Sequence, residues 1–188
     1  MDNQKKKVIN RCSWVNLDNP LYVDYHDNEW GIPEHNDTKL FEMLILECFQ
    51  AGLTWECVLN KRENFRKAFD NFDMQKISKY DDAKCEQLLS TPIIRNRLKI
   101  KATVTNSRIF MQIQKEFGSF DAYIWGFTNG KVINESCDIR STSPLSDEIS
   151  KDLKKRGMKF VGSTIIYAYL QAIGILNAHT PDCDCYTN

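Results

Sequence analysis

The sequence predicts an all-α fold. Apolar residues recur at three- and four-residue steps along most of the chain, with Ser, Asn or Asp before these runs and glycine after them. Strand-like alternation is nearly absent, and there is no internal repeat or low-complexity linker. We expect about eight helices in residues 12–188, as one domain or as two small lobes, after a flexible basic tail over residues 1–11.

The first part of the domain has the weakest helical pattern. Residues 12–36 contain many aromatics and two prolines, so we interpret them as ordered loop with short helical turns. Asp37 is a suitable N-cap for the first long helix, which Gly52 is expected to end. The other predicted helices cover residues 54–69, 81–89, 96–117, 120–125, 146–156 and 163–173.

Composition limits the class of protein. The chain has 188 residues, 42% of them hydrophobic, and 25 basic residues balance 25 acidic ones. Zero net charge argues against a non-specific nucleic-acid coat protein but allows a local basic face. No apolar run approaches a membrane span and no signal segment follows the polar start, so we expect a cytoplasmic protein. Seven irregularly spaced cysteines then make a disulfide framework improbable.

Four residues near the two ends of the chain form a candidate metal site. Cys12 and His26 lie near the start, and His179 and Cys183 lie four residues apart near the end. Two Cys and two His are a usual ligand set for closed, tetrahedral zinc, which would be structural rather than catalytic. Chance spacing is the alternative, and two further residues could compete as ligands, namely Cys185 and His35.

Glu47 is the candidate chemical group. Its helical direction is about 20° from that of Leu40, at the edge of the apolar arc. The carboxylate is therefore either a solvated rim residue or a partly buried acid that needs compensation. Trp55 follows the glycine that ends this helix, and a carboxylate beside a large aromatic suits a flat, cationic ring. Tyr22, Tyr25 and Trp30 are candidates for more of this slot, or for simple packing, which we favour for Trp30.

A basic segment near the C-terminus predicts a phosphate-binding hairpin. Residues 154–165 combine a basic helix end, Gly157, an apolar turn with Lys159, and a new helix after Gly162. Free backbone N–H groups at such a turn and at the following helix start can bind a DNA phosphate. The alternative is an ordinary solvated charge run. A second basic cluster extends this face or is merely solvated: Arg95, Arg97, Lys99 and Lys101.

In this order, these features resemble the 3-methyladenine DNA glycosylase I family of the helix–hairpin–helix glycosylase superfamily. The resemblance covers most of the chain, from Cys12 to about Tyr186. The matching runs are residues 11–14, 20–31, 46–55, 61–64, 93–97 and 154–174.

The resemblance implies a role for each candidate residue. One structural zinc would be bound by Cys12, His26, His179 and Cys183, and would fasten the N- and C-terminal segments. Glu47 would be the pocket carboxylate, with Trp55, Tyr25 and Tyr22 binding the base. DNA would be contacted by Gly52 and Leu53, which match the turn that probes the flipped-out gap, and by hairpin residues Lys159, Gly162, Ser163 and Thr164.

The activity implied is excision of 3-methyladenine from double-stranded alkylated DNA by a monomeric enzyme. The base flips out, water hydrolyses its N-glycosidic bond, and free 3-methyladenine leaves an abasic site. Residues 174–179 contain no carboxylate and no lyase lysine is evident, so we expect no β-lyase activity. Ala178 stands where an Asp is commoner in the family, which puts in doubt a hydrogen bond from outside the metal site to the His179 ring. Two alternatives remain: a non-catalytic DNA-binding module and a hydrolytic zinc enzyme.

Overall fold

Ten α-helices make up most of the protein in a computed structural model, which describes residues 9–135 and 140–186. The prediction of an all-α fold is confirmed. In chain order the helices are α1 (Pro20–Asn28), α2 (Asp37–Gln50), α3 (Trp55–Leu59), α4 (Arg62–Ala68), α5 (Met74–Ile77), α6 (Asp82–Leu88), α7 (Arg97–Phe117), α8 (Phe120–Gly126), α9 (Pro144–Lys155) and α10 (Ser163–Ala172).

Two very short strands join distant parts of the chain. β1 (Ile133–Asn134) pairs in parallel with β2 (Leu176–Asn177), with Ile133 opposite Leu176. The pair holds the segment after α8 against the segment that follows α10. It therefore helps to fix the path of the chain towards His179.

The central helix of the core is α2. Every residue from Leu40 to Phe49 is buried, because α3, α7, α8 and α10 all pack around this helix. A helix that is enclosed on all sides has no solvated rim for a polar side chain. The interpretation of Glu47 as a rim residue is therefore wrong, and its carboxylate is buried.

Several helix boundaries differ from the prediction. The N-cap of α2 is Asn36 rather than the predicted Asp37, which is the first residue of the helix. Residues 12–36 contain the nine-residue helix α1, because Asn19 caps it and Pro20 occupies the first helical position, where proline fits well. The predicted helix over residues 54–69 is interrupted between α3 and α4. Helix α9 begins earlier than expected: Ser143 is its N-cap, and Ser146 is the reciprocal partner in a capping box.

The N- and C-terminal segments lie side by side. The predicted tail falls mainly on residues 1–8, which lie outside the described residues. Asn10, by contrast, donates its backbone N–H to the Asp184 carboxylate at 3.0 Å, and Asp184 returns a bond to the Asn10 carbonyl at 2.9 Å. The folded body thus includes at least Asn10 and Arg11, which the prediction placed in the tail. Among the helices described, none is long and apolar enough to cross a membrane.

Candidate active site

A cavity of about 230 Å³ opens between α1, α2, α3 and α10. All four predicted pocket residues line it. Trp30 also lines the cavity, although packing was the favoured interpretation for it. Sequence reasoning missed the remaining lining residues, which are Trp14, Gln50, Ala168 and Gln171. Its size suits a single nucleobase better than a larger ligand. A larger cavity of about 730 Å³ beside α8 and α9 contains none of the predicted pocket residues, and ion-paired Asp152 and Arg156 line it.

Glu47 is the buried acid of the smaller cavity. Its side chain is 4% exposed, and its carboxylate makes no hydrogen bond or ion pair with any residue that the structure describes. Burial without compensation raises its pKa from 4.5 to about 8. A buried carboxylate in this condition has a high affinity for a positive charge or a hydrogen-bond donor that enters the cavity.

Aromatic rings form the walls around this acid. The rings of Tyr25 and Trp55 lie 5.1 Å apart, and those of Trp14 and Trp30 meet edge to face at 4.7 Å. Tyr22 contacts Trp14 at 5.5 Å. The indole Nε1 of Trp55 is also buried and has no hydrogen-bond partner among the described residues. Unsatisfied donors are rare in folded proteins and typically occur at functional sites.

The four predicted metal ligands meet in one buried cluster. One ligand atom from each of Cys12, His26, His179 and Cys183 lies within 4.8 Å of all the others. The His179 Nδ1 atom is 3.6 Å from both sulfurs, and the His26 Nε2 atom is 3.6 Å from the Cys183 sulfur. Tetrahedral zinc with its usual bond lengths separates sulfur and nitrogen by about 3.5 to 3.6 Å. The side chains present therefore fit zinc.

The second ring nitrogen of each histidine already has an acceptor. Nδ1 of His26 lies 2.9 Å from the Asp27 carboxylate, and Nε2 of His179 lies 3.2 Å from the Trp30 carbonyl. Because these oxygens only accept, the ring nitrogens facing them carry the protons, and the nitrogens facing the cluster present lone pairs. The Trp30 carbonyl supplies the outer bond to His179 that Ala178 had put in doubt.

The sulfurs are also held from outside. Thr180 donates its backbone N–H to the Cys12 sulfur, and Cys185 donates its own backbone N–H to the Cys183 sulfur, both at 3.4 Å.

The Asp27 carboxylate behind His26 is itself held by Arg11. Arg11 makes a two-point contact with Asp27, at 2.7 Å from Nε and 2.5 Å from Nη2. The histidine–carboxylate pair is therefore fixed in turn by a cation.

The two possible competing ligands differ in position. Cys185 lies close enough to His26 and Asp27 to form a second, overlapping group. His35 belongs to neither group. Its ring bonds to Asp121 at 2.7 Å and stacks on Trp125 at 4.7 Å. Of the two, only Cys185 remains a candidate substitute for Cys183.

The metal cluster packs directly against the pocket wall. Trp30 contacts the His179 ring edge to face at 4.6 Å, and Trp14 contacts the His26 ring at 5.3 Å. Both tryptophans line the cavity. The positions of the cluster ligands therefore determine the shape of the cavity on this side.

The segment between α9 and α10, residues 156–162, forms the predicted hairpin. Ser150 of α9 closes it by donating to the Val161 carbonyl at 2.7 Å, and Gly162 begins α10 without any side-chain cap. The first N–H groups of α10 therefore remain available to a phosphate. Two predicted contacts are already engaged: Ser163 Oγ bonds to Ser146 Oγ at 2.8 Å, and the Lys159 N–H is donated within the protein. The Lys159 ammonium and Thr164 remain exposed.

Residues 51–53, which we call the wedge turn, lie between α2 and α3. Leu53 is exposed, and its N–H donates to the Gln50 carbonyl at 2.7 Å. Gly52 has a φ of +82°, a left-handed conformation that favours glycine. The turn therefore presents an apolar side chain to solvent at the end of the helix that contains Glu47.

The sequence is similar to those of known proteins. Residues 14–186 match the family described as methyladenine glycosylase. The chain is 44% identical over 183 residues to DNA-3-methyladenine glycosylase 1 of Escherichia coli strain K12, covering 95% of this chain and 97% of that one.

Solved structures show the same similarity. A crystal structure of 3-methyladenine DNA glycosylase I superposes with a TM-score of 0.91 at 44% identity, over 95% of this chain and 100% of that chain. A variant of such an enzyme in complex with 3-methyladenine superposes with a TM-score of 0.91 at 30% identity, covering 96% and 99% of the two chains. The chain belongs to the methyladenine glycosylase family.

Proposed function

We propose that this protein excises 3-methyladenine from alkylated double-stranded DNA, and the names of its relatives, which are 3-methyladenine DNA glycosylases, support this activity. One observation supports the proposal above all others. The cavity combines an unpaired, buried carboxylate with aromatic walls, at a size that fits one base. A flat ring that carries positive charge is the ligand that best complements such a site.

Glu47 gives the pocket its selectivity for a cationic base. Methylation at N3 places positive charge on the ring of the nucleotide and weakens its bond to the sugar. In the cavity the base stacks on Trp55 with Tyr25 nearby, and Glu47 accepts hydrogen bonds from its edge. A neutral base offers the carboxylate no charge compensation, so the desolvation cost of the anion remains and binding is weaker.

Base flipping follows from where the cavity lies. A base that is stacked inside a duplex cannot enter a cavity lined by side chains of four helices, so the nucleotide must leave the stack. Leu53 of the wedge turn is placed to enter the gap that the base leaves. The uncapped start of α10 and the Lys159 ammonium hold the backbone through phosphate contacts.

Hydrolysis requires only modest help from the protein because the leaving base is already cationic. Water attacks the sugar carbon as the glycosidic bond breaks, the base leaves neutral, and the water's proton passes to solvent. Among the described residues no lysine lines the cavity, so none of their amines can form the imine needed for strand cleavage there. The enzyme is therefore a monofunctional glycosylase.

The metal site is a structural zinc clasp. Cys12 and His26 would hold the metal from the N-terminal segment, and His179 and Cys183 from the C-terminal segment. A zinc hydrolase needs a coordination position open to water and substrate. Here the four side chains are at most 4% exposed, and none of them lines the base cavity. Zinc would cross-link the N- and C-terminal segments, and this would stabilise α1 and the cavity wall formed by Trp14 and Trp30.

The decisive experiment is incubation of the protein with methylated duplex DNA and chromatographic identification of the released bases. We expect free 3-methyladenine from the wild type and very little from Glu47→Gln. Glu148→Gln, which removes an exposed carboxylate on α9, is the matched control and should retain activity. Binding to abasic duplex without release of any base would instead support a non-catalytic DNA-binding module.

A further inference from the structure

Helix α7 connects the wedge turn and the hairpin through two polar side chains. Lys99 and Asn106 lie seven residues apart and therefore share one face of the helix. Both are buried: Lys99 is 6% exposed, and Asn106 is completely enclosed. A buried lysine is rare unless its ammonium has specific partners.

The Lys99 ammonium binds the end of α2 and the wedge turn. Nζ donates to the Phe49 carbonyl at 2.9 Å and to the Ala51 carbonyl at 2.7 Å. These carbonyls belong to the C-terminal turn of α2, where a cation is favoured because the helix dipole is negative. This ammonium therefore fixes the peptide directly before Gly52 and Leu53. Both alternatives for the basic cluster, an extended basic face or simple solvation, are wrong for Lys99, because its side chain is buried.

The same ammonium also contacts the hairpin. It lies 5.8 Å from the centre of the Phe160 ring, within range of a cation–π interaction. Phe160 is partly exposed and has a φ of +57°, a conformation that needs support from its surroundings. That support comes from Asn106, which bonds both the N–H of Lys159 at 2.8 Å and its carbonyl at 2.9 Å.

We propose that Lys99 is a positioning residue for DNA binding, which holds the wedge turn and the hairpin at a fixed separation. The inference rests on the proposed function, since it assumes that both elements contact one DNA duplex. Leu53 can enter the gap that the flipped base leaves in the DNA only while the hairpin contacts the DNA backbone at the matching distance. A bridge between the two elements therefore reduces the ordering that DNA binding requires.

Attraction of Lys99 to DNA phosphate is the competing explanation, and Lys101 allows it to be tested. Lys101 lies two residues further along α7, is exposed, and pairs with Asp82 at 2.6 Å. Replacement of either lysine by methionine removes one positive charge from the same helix. An effect of charge alone would therefore be similar in the two variants and would depend on salt concentration.

The test measures dissociation constants for a duplex with an abasic site and for free 3-methyladenine. We expect Lys99→Met to weaken abasic-duplex binding by about tenfold and to leave free-base binding within about twofold. Lys101→Met should leave both constants within about twofold of the wild type, and Lys99→Arg should restore most of the lost duplex affinity. Equal losses in Lys99→Met and Lys101→Met, or an equal loss of free-base binding, would overturn the proposal.

A double-mutant cycle identifies the route of the effect. If Lys99 acts through the wedge turn, Lys99→Met should weaken duplex binding much less when Leu53 is already alanine. If the loss of affinity in the double variant equals the product of the two single losses, the two residues act independently, which would contradict this route. If Lys99→Met does not fold, a double-mutant cycle between Leu53→Ala and Phe160→Ala tests the same connection with exposed residues. Independent effects of these two substitutions on duplex binding would overturn the proposal. Abasic binding needs no base excision, so these results are separate from the test of glycosylase activity.

Discussion

Trp30 contacts His179 in two ways: its indole packs edge to face on the imidazole at 4.6 Å, and its carbonyl lies 3.2 Å from the imidazole Nε2. The same indole lines the base cavity. A change at the metal cluster is therefore transmitted to the cavity wall across a single residue. This contact links the stability of the clasp to the binding of the base.

The first prediction concerns removal of the metal. The wild type should contain one zinc per chain, and removal by a strong chelator should lower its melting temperature and weaken binding of 3-methyladenine. Cys183→Ser should lose zinc, whereas Cys57→Ser, at a half-buried cysteine outside the cluster, should keep it. Zinc content measured by atomic absorption tests this.

Cys185 provides the matching second test. If Cys183→Ser retains full zinc, Cys185 has replaced Cys183, and the variant that also carries Cys185→Ser should then lose the metal. Retention of zinc by the double variant would contradict the four-ligand assignment.

The second prediction concerns the carboxylate behind His26. Asp27→Asn removes the anion that orients the His26 ring and should weaken zinc affinity by about 10- to 100-fold. Asp24→Asn is a suitable control, since Asp24 lies on the same helix and bonds only to the exposed Asn28 among the described residues. Competition with a chromophoric chelator measures both affinities, and equal values for the two variants would exclude a role for Asp27.

The third prediction concerns the pH dependence of catalysis. Burial raises the pKa of Glu47 to about 8 in the free protein, so the anionic form that binds the cationic base becomes more populated as pH rises. The value of kcat/KM should therefore increase with pH up to about 8 and then level off. Glu47→Gln should be slower by about 100-fold and should lack this increase. A variant profile parallel to that of the wild type would show that another group titrates.

The fourth prediction concerns stability. The folded protein holds the Glu47 proton up to a pH of about 8, whereas the unfolded chain releases it near the ordinary pKa of 4.5. The contribution of the neutral acid to stability is therefore complete below about pH 4.5 and is lost as pH rises to about 8. Glu47→Gln stays neutral, so its melting temperature should exceed that of the wild type increasingly over this range, by on the order of 10 °C at pH 8.

Thermal unfolding at several pH values measures this difference, with Glu148→Gln as the exposed control. A difference between Glu47→Gln and the wild type that stays constant between pH 5 and 8 would show that Glu47 is already ionised in the folded protein. The kinetic and thermal measurements report the same titration independently.

Local chemistry explains which features the sequence predicts well. Gly157 follows the end of α9 as expected, because a C-terminal cap depends on residues within one turn. The candidate metal ligands are recognisable because few side chains provide soft sulfur and imidazole donors. The missed pocket residue Gln171 could have been found from the sequence, because it is the one amide side chain in the apolar run of α10.

The sequence by itself determined the helical fold class and the four candidate metal ligands, because each depends on residue chemistry or short-range spacing. Only the tertiary structure decided that Glu47 is buried without a partner and that Lys99 is a buried bridge rather than a solvated cation. Burial depends on which helices pack around α2 and α7, and those contacts join residues far apart in the chain.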